Sequence, residues 1–199
     1  MLKELTLKEK YPPGDFAVWI IIYVELITFG LFFLGYAISR RTDIELFNGS
    51  QEILSQTSGF VNTLILITSS YFVVKALSIV KSMTAENYKE LNIQASKWLL
   101  FALTCGVAFL FIKISEFSHI FGLGINLSTN KFFMFYILLT GFHFMHVLLG
   151  SIILFNIYQK TKIYGYTPDD YKGFESGASY WHMVDLLWIV LFPLIYIIR

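Results

Sequence analysis

FAVWIIIYVELITFGLFFLGYAI, residues 16–38, decides the fold class. It is 23 residues long, holds one carboxylate, Glu25, and has no Lys or Arg. A bilayer's hydrocarbon core is about 30 Å thick, and a helix rising about 1.5 Å per residue crosses it in about 20 residues. In lipid a helix satisfies every backbone N–H and C=O within its own segment, so such a run reads as a membrane-spanning helix. Four more runs pass the same test: 58–80, 97–117, 132–158 and 176–198. The run 132–158 is long enough to tilt or protrude. The expected fold is all-α, a single five-helix membrane domain over residues 1–199.

Composition agrees. Of 199 residues, 56% are hydrophobic, 18% aromatic and 15% charged, and the mean hydropathy is +0.62. A soluble domain carries about 25% charged residues. The net charge of +1 gives no electrostatic footprint for a nucleic-acid partner. Cys105 is the one cysteine, so no internal disulfide or CxxC-type metal set is expected. The first apolar run is too long for a signal-peptide core and lacks a small-residue cleavage site. The linkers RRTDIELFNGSQE (40–52), KSMTAENYKE (81–90), GLGINLSTN (122–130) and KTKIYGYTPDDYKG (160–173) are too short for a separate domain.

Charge sets the expected orientation, since cytoplasmic loops carry excess Lys and Arg. Lys3, Lys8, Lys10, Lys81, Lys89, Lys97, Lys160, Lys162 and Lys172 fall on one side. Arg40, Arg41, Lys131 and Arg199 fall on the other. The N-terminus is expected in the cytoplasm and the C-terminus opposite. Tyr11, Trp98, Tyr158, Trp181 and Tyr196 lie near span ends and read as interfacial aromatics.

Ionisable groups inside spans are expensive and face protein or water. Glu25 lies about ten residues into the first span, about 15 Å deep. It reads either as a hydrogen-bonded structural carboxyl or as a proton-linked group. Ala102, Gly106, Phe109, Lys113 and Glu116 share one stripe of the third span, where Lys113 and Glu116 can pair at i, i+3. Tyr136, Thr140, His143, His146 and Gly150 form a stripe in the fourth. Ala178, His182, Asp185 and Ile189 do so in the fifth. His143 and His146 could ligate a metal or haem, but no further His or Cys completes a set, so neutral interior histidines are the simpler reading. Glu25, His143, His146 and Asp185 fall at similar depth, which suggests one shared polar cluster. Asn62, Thr63, Ser69 and Ser70 read as helix–helix glue, and Lys75 can snorkel.

Five ordered motifs resemble subunit III of the haem–copper oxidases. GDFAVWIIIYVELITFGLFF (14–33) is similar to that family's helix with a membrane-buried glutamate. FVNTLILITSS (60–70), FIKISEF (111–117) and FYILLTGFHFMHVLLG (135–150) follow in the family's order. FESGASYWHMVDLLWIVLFPLIY (174–196) resembles its closing helix. The run WHMVDLLWIVLFPLIY is more similar to the subunit-III homologue encoded with bacterial nitric oxide reductases. The seven-span form of the family has two further N-terminal helices that make a lipid-holding cleft; this chain shows five spans.

The resemblance implies an accessory subunit in a bacterial plasma membrane, without haem or copper of its own. It would pack on a haem-containing catalytic subunit of an oxidase or nitric oxide reductase, hold phospholipids and support proton uptake and stability. It makes Glu25 the buried carboxylate, and Glu116, His143, His146, Glu175, His182 and Asp185 the lipid- or structure-linked polar positions. Two other classes remain: a stand-alone proton channel or transporter around Glu25 and the histidines, and a membrane cytochrome using His143 or His146 with His182. The lack of internal repeats or broken helices argues against a transporter.

Overall fold

The computed structural model describes residues 13–199. Lys3, Lys8, Lys10 and Tyr11 lie outside the described residues. The chain forms α1 (Phe16–Thr42), α2 (Ile44–Gln51), α3 (Gln56–Lys81), α4 (Tyr88–Gly122), α5 (Lys131–Lys162) and α6 (Lys172–Phe192), then a π-helical turn at Pro193–Ile197. Among the described residues five helices are long and apolar enough to cross a membrane: α1, α3, α4, α5 and α6 with its π-turn. Among the described residues there is no β-strand, only an isolated bridge between Thr167 and Asp170.

Local chemistry sets the helix ends. Asp15, Ser55 and Asn130 each accept a hydrogen bond from the backbone N–H of Ala17, Ser58 and Phe133, at 3.0, 3.2 and 2.9 Å. These N-caps satisfy donors that a helix start leaves unpaired. Gly124, at φ +76°, turns the chain after α4. Pro193 lacks the N–H that would continue α6. The helix widens there, and Ile198 N–H bonds back to Pro193 O at 3.0 Å.

Two elements exceed the sequence expectation. The α4 helix begins at Tyr88, inside a charged stretch that reads as linker, and the first linker folds into α2. Phe47 of α2 is buried edge-on between Tyr36 and Phe132, at 5.3 and 5.7 Å between centroids.

The core lies among α3, α4, α5 and α6. Over the most apolar window of each span, 56% of α6 residues are buried but only 11% of α1 residues. The α6 helix is thus the central post, and α1 lies at the edge. Trp181 corrects the interfacial expectation: it is fully buried. Its indole fills a notch at Gly106 and Gly150, where an added Cβ would come within 3.0 and 2.8 Å of the ring. Close approach at small residues is how membrane helices gain van der Waals contact, since lipid supplies no hydrophobic driving force between them. Tyr196 is likewise buried rather than interfacial. Ile189 departs from its predicted stripe and faces outward.

Candidate functional site

The intramembrane polar residues do not form one cluster. They divide into three groups set by helix face. His143 and His146 are i, i+3 on α5, yet His146 turns toward α1 while His143 turns toward α4 and α6.

The first group joins α1 to α5. Glu25 Oε2 lies 3.1 Å from His146 Nε2. His146 Nδ1 lies 2.8 Å from the carbonyl oxygen of Phe142. A carbonyl only accepts, so Nδ1 carries a hydrogen and Nε2 is the nitrogen that meets Glu25. One proton therefore serves the contact, whether it rests on the carboxyl or on the imidazole. The pair has no net charge in either form, which suits its depth. Phe29 and Phe142 stand edge-on to the imidazole, at 5.5 and 4.7 Å. The Glu25 side chain is 24% exposed and that of His146 9%, so the pair opens outward along the α1–α5 seam.

The second group is fully internal. Lys113 is 0% exposed. Its ammonium donates to Glu116 Oε2 at 3.1 Å and to the Tyr196 hydroxyl at 2.6 Å. Tyr196 and Tyr136 both donate to Glu116 Oε1, at 2.6 and 2.9 Å. The ammonium also lies 5.2–5.3 Å from the rings of Phe117, Tyr136, Trp188 and Tyr196. A buried charge needs a counter-charge, hydrogen-bond acceptors and a polarisable wall, and this one has all three. The π-turn carries Tyr196 into the network. Gln51 and Gln56 hold the turn by donating to the carbonyls of Ile195 and Tyr196, at 2.7 and 2.9 Å. The i, i+3 spacing signals Lys113 with Glu116. Nothing in the sequence marks Tyr196 as their partner, because its position near the chain end reads as interfacial.

The third group links α3 to α6. Ser70 Oγ lies 2.6 Å from His182 Nδ1, and Trp188 Nε1 donates to Thr63 Oγ1 at 3.0 Å. Ser69 Oγ donates to the Ala102 carbonyl at 3.0 Å, tying α3 to α4. His143 lies 5.1 Å from the Trp188 ring and 5.7 Å from that of Phe109. Among the described residues neither His143 nitrogen nor either Asp185 oxygen has a hydrogen-bond partner. His182 pairs across helices with Ser70. Lys75 stays near the surface over Tyr71, at 5.5 Å.

Glu175 lies apart, at the end of the bundle where α6 begins. Its Oε2 accepts from Gly14 N–H at 3.1 Å, and its Oε1 pairs with Lys81 Nζ at 2.8 Å. Asp15 N–H donates to Ser176 Oγ at 2.8 Å. Gly14 has φ +89°, and a Cβ there would lie 2.7 Å from Ser176 Oγ, so this junction requires glycine.

Among the described residues no three His, Cys, Asp or Glu side chains gather where a metal ion could be held. The acids and imidazoles are instead spread across separate helix seams. These groups can lock helices together and hold protons, and they lie on the helices that carry the subunit III motifs.

Relatives with established names agree. Compared with cytochrome c oxidase subunit 3 of Thermostichus vulcanus, the chain is 28% identical over 90% of its length and 84% of the relative's. With the Alkalihalophilus pseudofirmus protein of that name the identity is 29%, over 90% of this chain and 84% of the other. With the Synechocystis protein it is 32%, over 69% of this chain, and the match spans only 55% of that relative's length. The family model described as "Cytochrome c oxidase subunit III" matches residues 16–199, all five spans. The chain belongs to the cytochrome c oxidase subunit III family.

Proposed function

We propose that this chain is an accessory subunit of a respiratory haem–copper oxidase in a bacterial plasma membrane. On this reading the haem and copper sit in a neighbouring catalytic subunit, and this chain holds neither. The observation that carries it is the family match over residues 16–199. The donor chemistry supports it: Glu116 and Lys113 are occupied with each other and with two phenols, and Glu25 is occupied with His146. The arrangement also disfavours a stand-alone channel, because Glu25 pairs with His146 on one helix seam and Lys113 with Glu116 on another.

The compared relatives bear the oxidase name, which favours oxygen over nitric oxide as acceptor for the complex. The lysine-rich ends of α3, α4, α5 and α6 support a cytoplasmic N-terminus. Within the assembly the chain's own work is to brace its helices, to keep one proton at the Glu25–His146 seam and to offer surface to phospholipids.

The test is mild-detergent purification through a tag on this chain. A haem-containing partner should co-purify, with a reduced-minus-oxidised spectrum and oxygen uptake. Nitric oxide reduction without oxygen uptake would move the assignment to the reductase branch. Recovery of the chain alone, with no haem, would overturn the proposal.

A further inference from the structure

The α1 helix is the least covered span: 11% of its most apolar window is buried, against 28–56% in the other four. The three residues it buries, Ile22, Phe29 and Tyr36, recur every seven positions on the face toward the bundle. The opposite face has a seven-residue pattern of its own. Ile20, Val24, Ile27, Leu31, Leu34 and Ile38 are each 51–67% exposed and follow at steps of 4, 3, 4, 3 and 4. A further step of 3 reaches Arg41, which is also exposed.

Alternating steps of four and three put these side chains on one straight seam, the pattern through which left-handed helix pairs interlock. The six apolar positions span about 27 Å at about 1.5 Å per residue, nearly the whole of a hydrocarbon core of about 30 Å. Acyl chains ask only that a face be apolar. A seam that runs on into a guanidinium calls for a partner with regular side-chain spacing and a counter-charge at one end.

The surroundings of Arg41 set the sign of that counter-charge. Arg40, Arg41 and Arg199 line one groove of about 360 Å³ together with Tyr36 and Leu194, and no acidic side chain lines it. Two acids at this end are engaged elsewhere, Asp43 with Lys131 and Glu52 with Arg199. The third, Glu45, pairs with neither Arg40 nor Arg41, and Arg40 donates to the Asn48 amide oxygen at 3.0 Å. Arg41 is thus in no ion pair among the described residues. A guanidinium fork matches a carboxylate in charge and in shape.

We propose that the outer seam of α1 docks one membrane-spanning helix of a second polypeptide, which carries an Asp or Glu opposite Arg41. A second copy of this chain does not fit. A two-fold axis along the membrane normal would set the two α1 helices parallel and bring Arg41 against Arg41. The inference rests on the chain being one subunit of a larger complex, and it adds which face is covered and by what.

The test places a photoreactive benzophenone side chain at Ile27 or Leu34 of the tagged full chain. Val107 of α4, 59% exposed, is the comparison site. Intact membranes are irradiated and the complex purified; captured peptides are then sequenced by mass spectrometry and haem is measured by absorbance. Both α1 probes should capture one apolar segment of about 20 residues, with an Asp or Glu at the depth of Arg41, in clear excess over Val107. Arg41→Glu should cut that capture by about tenfold, the loss of one hydrogen-bonded charge contact. Changing the captured acid to Arg in the same cells should restore it. Equal capture from Val107, capture of a second copy or of lipid alone, or a captured span without an acid would each overturn the proposal. So would an Arg41→Glu variant without effect, or a reversed pair that fails to restore capture. Absence of haem from a complex that still cross-links bears on the oxidase assignment alone.

Discussion

His146 makes Glu25 tolerable at mid-membrane, and the contact needs only a hydrogen on one partner and a lone pair on the other. Glu25→Gln retains that, because the amide N–H can donate to His146 Nε2. It should leave turnover and assembly of the purified complex nearly unchanged. Glu25→Ala strands the imidazole and opens a gap, and should destabilise by about 1–3 kcal/mol, read as a lower thermal midpoint and faster loss of activity. Abolished initial turnover in an intact Glu25→Gln complex would make the carboxyl a direct participant. Lys113 poses the opposite case. Lys113→Met leaves Glu116 buried without its cation, a loss of about 3–5 kcal/mol. Adding Glu116→Leu should restore part of it, measurable as a coupling energy in denaturant titrations. At the membrane surface, burial and the nearby Asp170 carboxylate push the Tyr166 phenol from its usual 10.0 up to about 12. The fold favours the neutral phenol, so its contribution is fully present below pH 10 and is lost as pH rises toward 12. Protection of the amides of residues 163–171, their exchange relative to the intrinsic base-catalysed rate, should fall in that window in the native protein, and Tyr166→Phe should remove that fall.

Helix existence was legible in the sequence, but helix ends and one entire helix were not. Apolar runs of span length show α1, α3, α4, α5 and α6 directly, because lipid leaves the backbone few alternatives. The α2 helix has eight residues and no side-chain N-cap bond, so no local signal announces it. Its stability is tertiary, through Phe47 between Tyr36 and Phe132. The first turns of α4 were hidden by Lys89 and Glu90. They are helical because Asn92 faces inward and donates to the Tyr166 carbonyl at 2.8 Å, tying α4 to the α5–α6 loop. The polar groups followed the same rule. Pairs encoded on one helix, such as Lys113 and Glu116, could be read from spacing, whereas His146 with Glu25 required knowing which faces of α1 and α5 meet. Gly106 and Gly150 could be placed on their stripes from spacing, but not their shared neighbour, Trp181. That notch makes a prediction. Gly150→Ala places a methyl about 2.8 Å from the indole Cε3. The ring is buried and cannot swing aside, so the variant should lose about 1–3 kcal/mol, seen as a lower unfolding midpoint. Gly141→Ala, on the same helix with nothing near its Cβ, is the control.

Across the whole molecule, burial is uneven, and that unevenness predicts where the chain gives way. The central α6 post is mostly enclosed, while α1 presents Ile20, Val24, Ile27, Leu31, Leu34 and Ile38 outward. Polar ties at three levels hold α1 to the bundle. Glu175 and Ser176 grip its start, His146 grips its middle, and Lys131 reaches Asp43, just beyond its end, at 2.6 Å. The Lys131–Asp43 pair is well exposed and contributes little. The grip at the start is stronger, because Glu175 is largely buried and joins Gly14 N–H to Lys81. Local opening follows the weakest set of contacts. Glu175→Ala should therefore free the start of α1 without melting the core. Hydrogen exchange of residues 14–22 should accelerate by about tenfold, the effect of losing about 1.4 kcal/mol, with α4 and α6 unchanged. Glu175→Gln keeps an acceptor for Gly14 and loses only the ion pair, so its exchange should lie between the two. A uniform rise across all helices would show that Glu175 supports the whole bundle rather than one seam. If a partner subunit covers α1 in the complex, the same variant should exchange more slowly there than in the isolated chain, because the partner then supplies the contacts that this helix lacks.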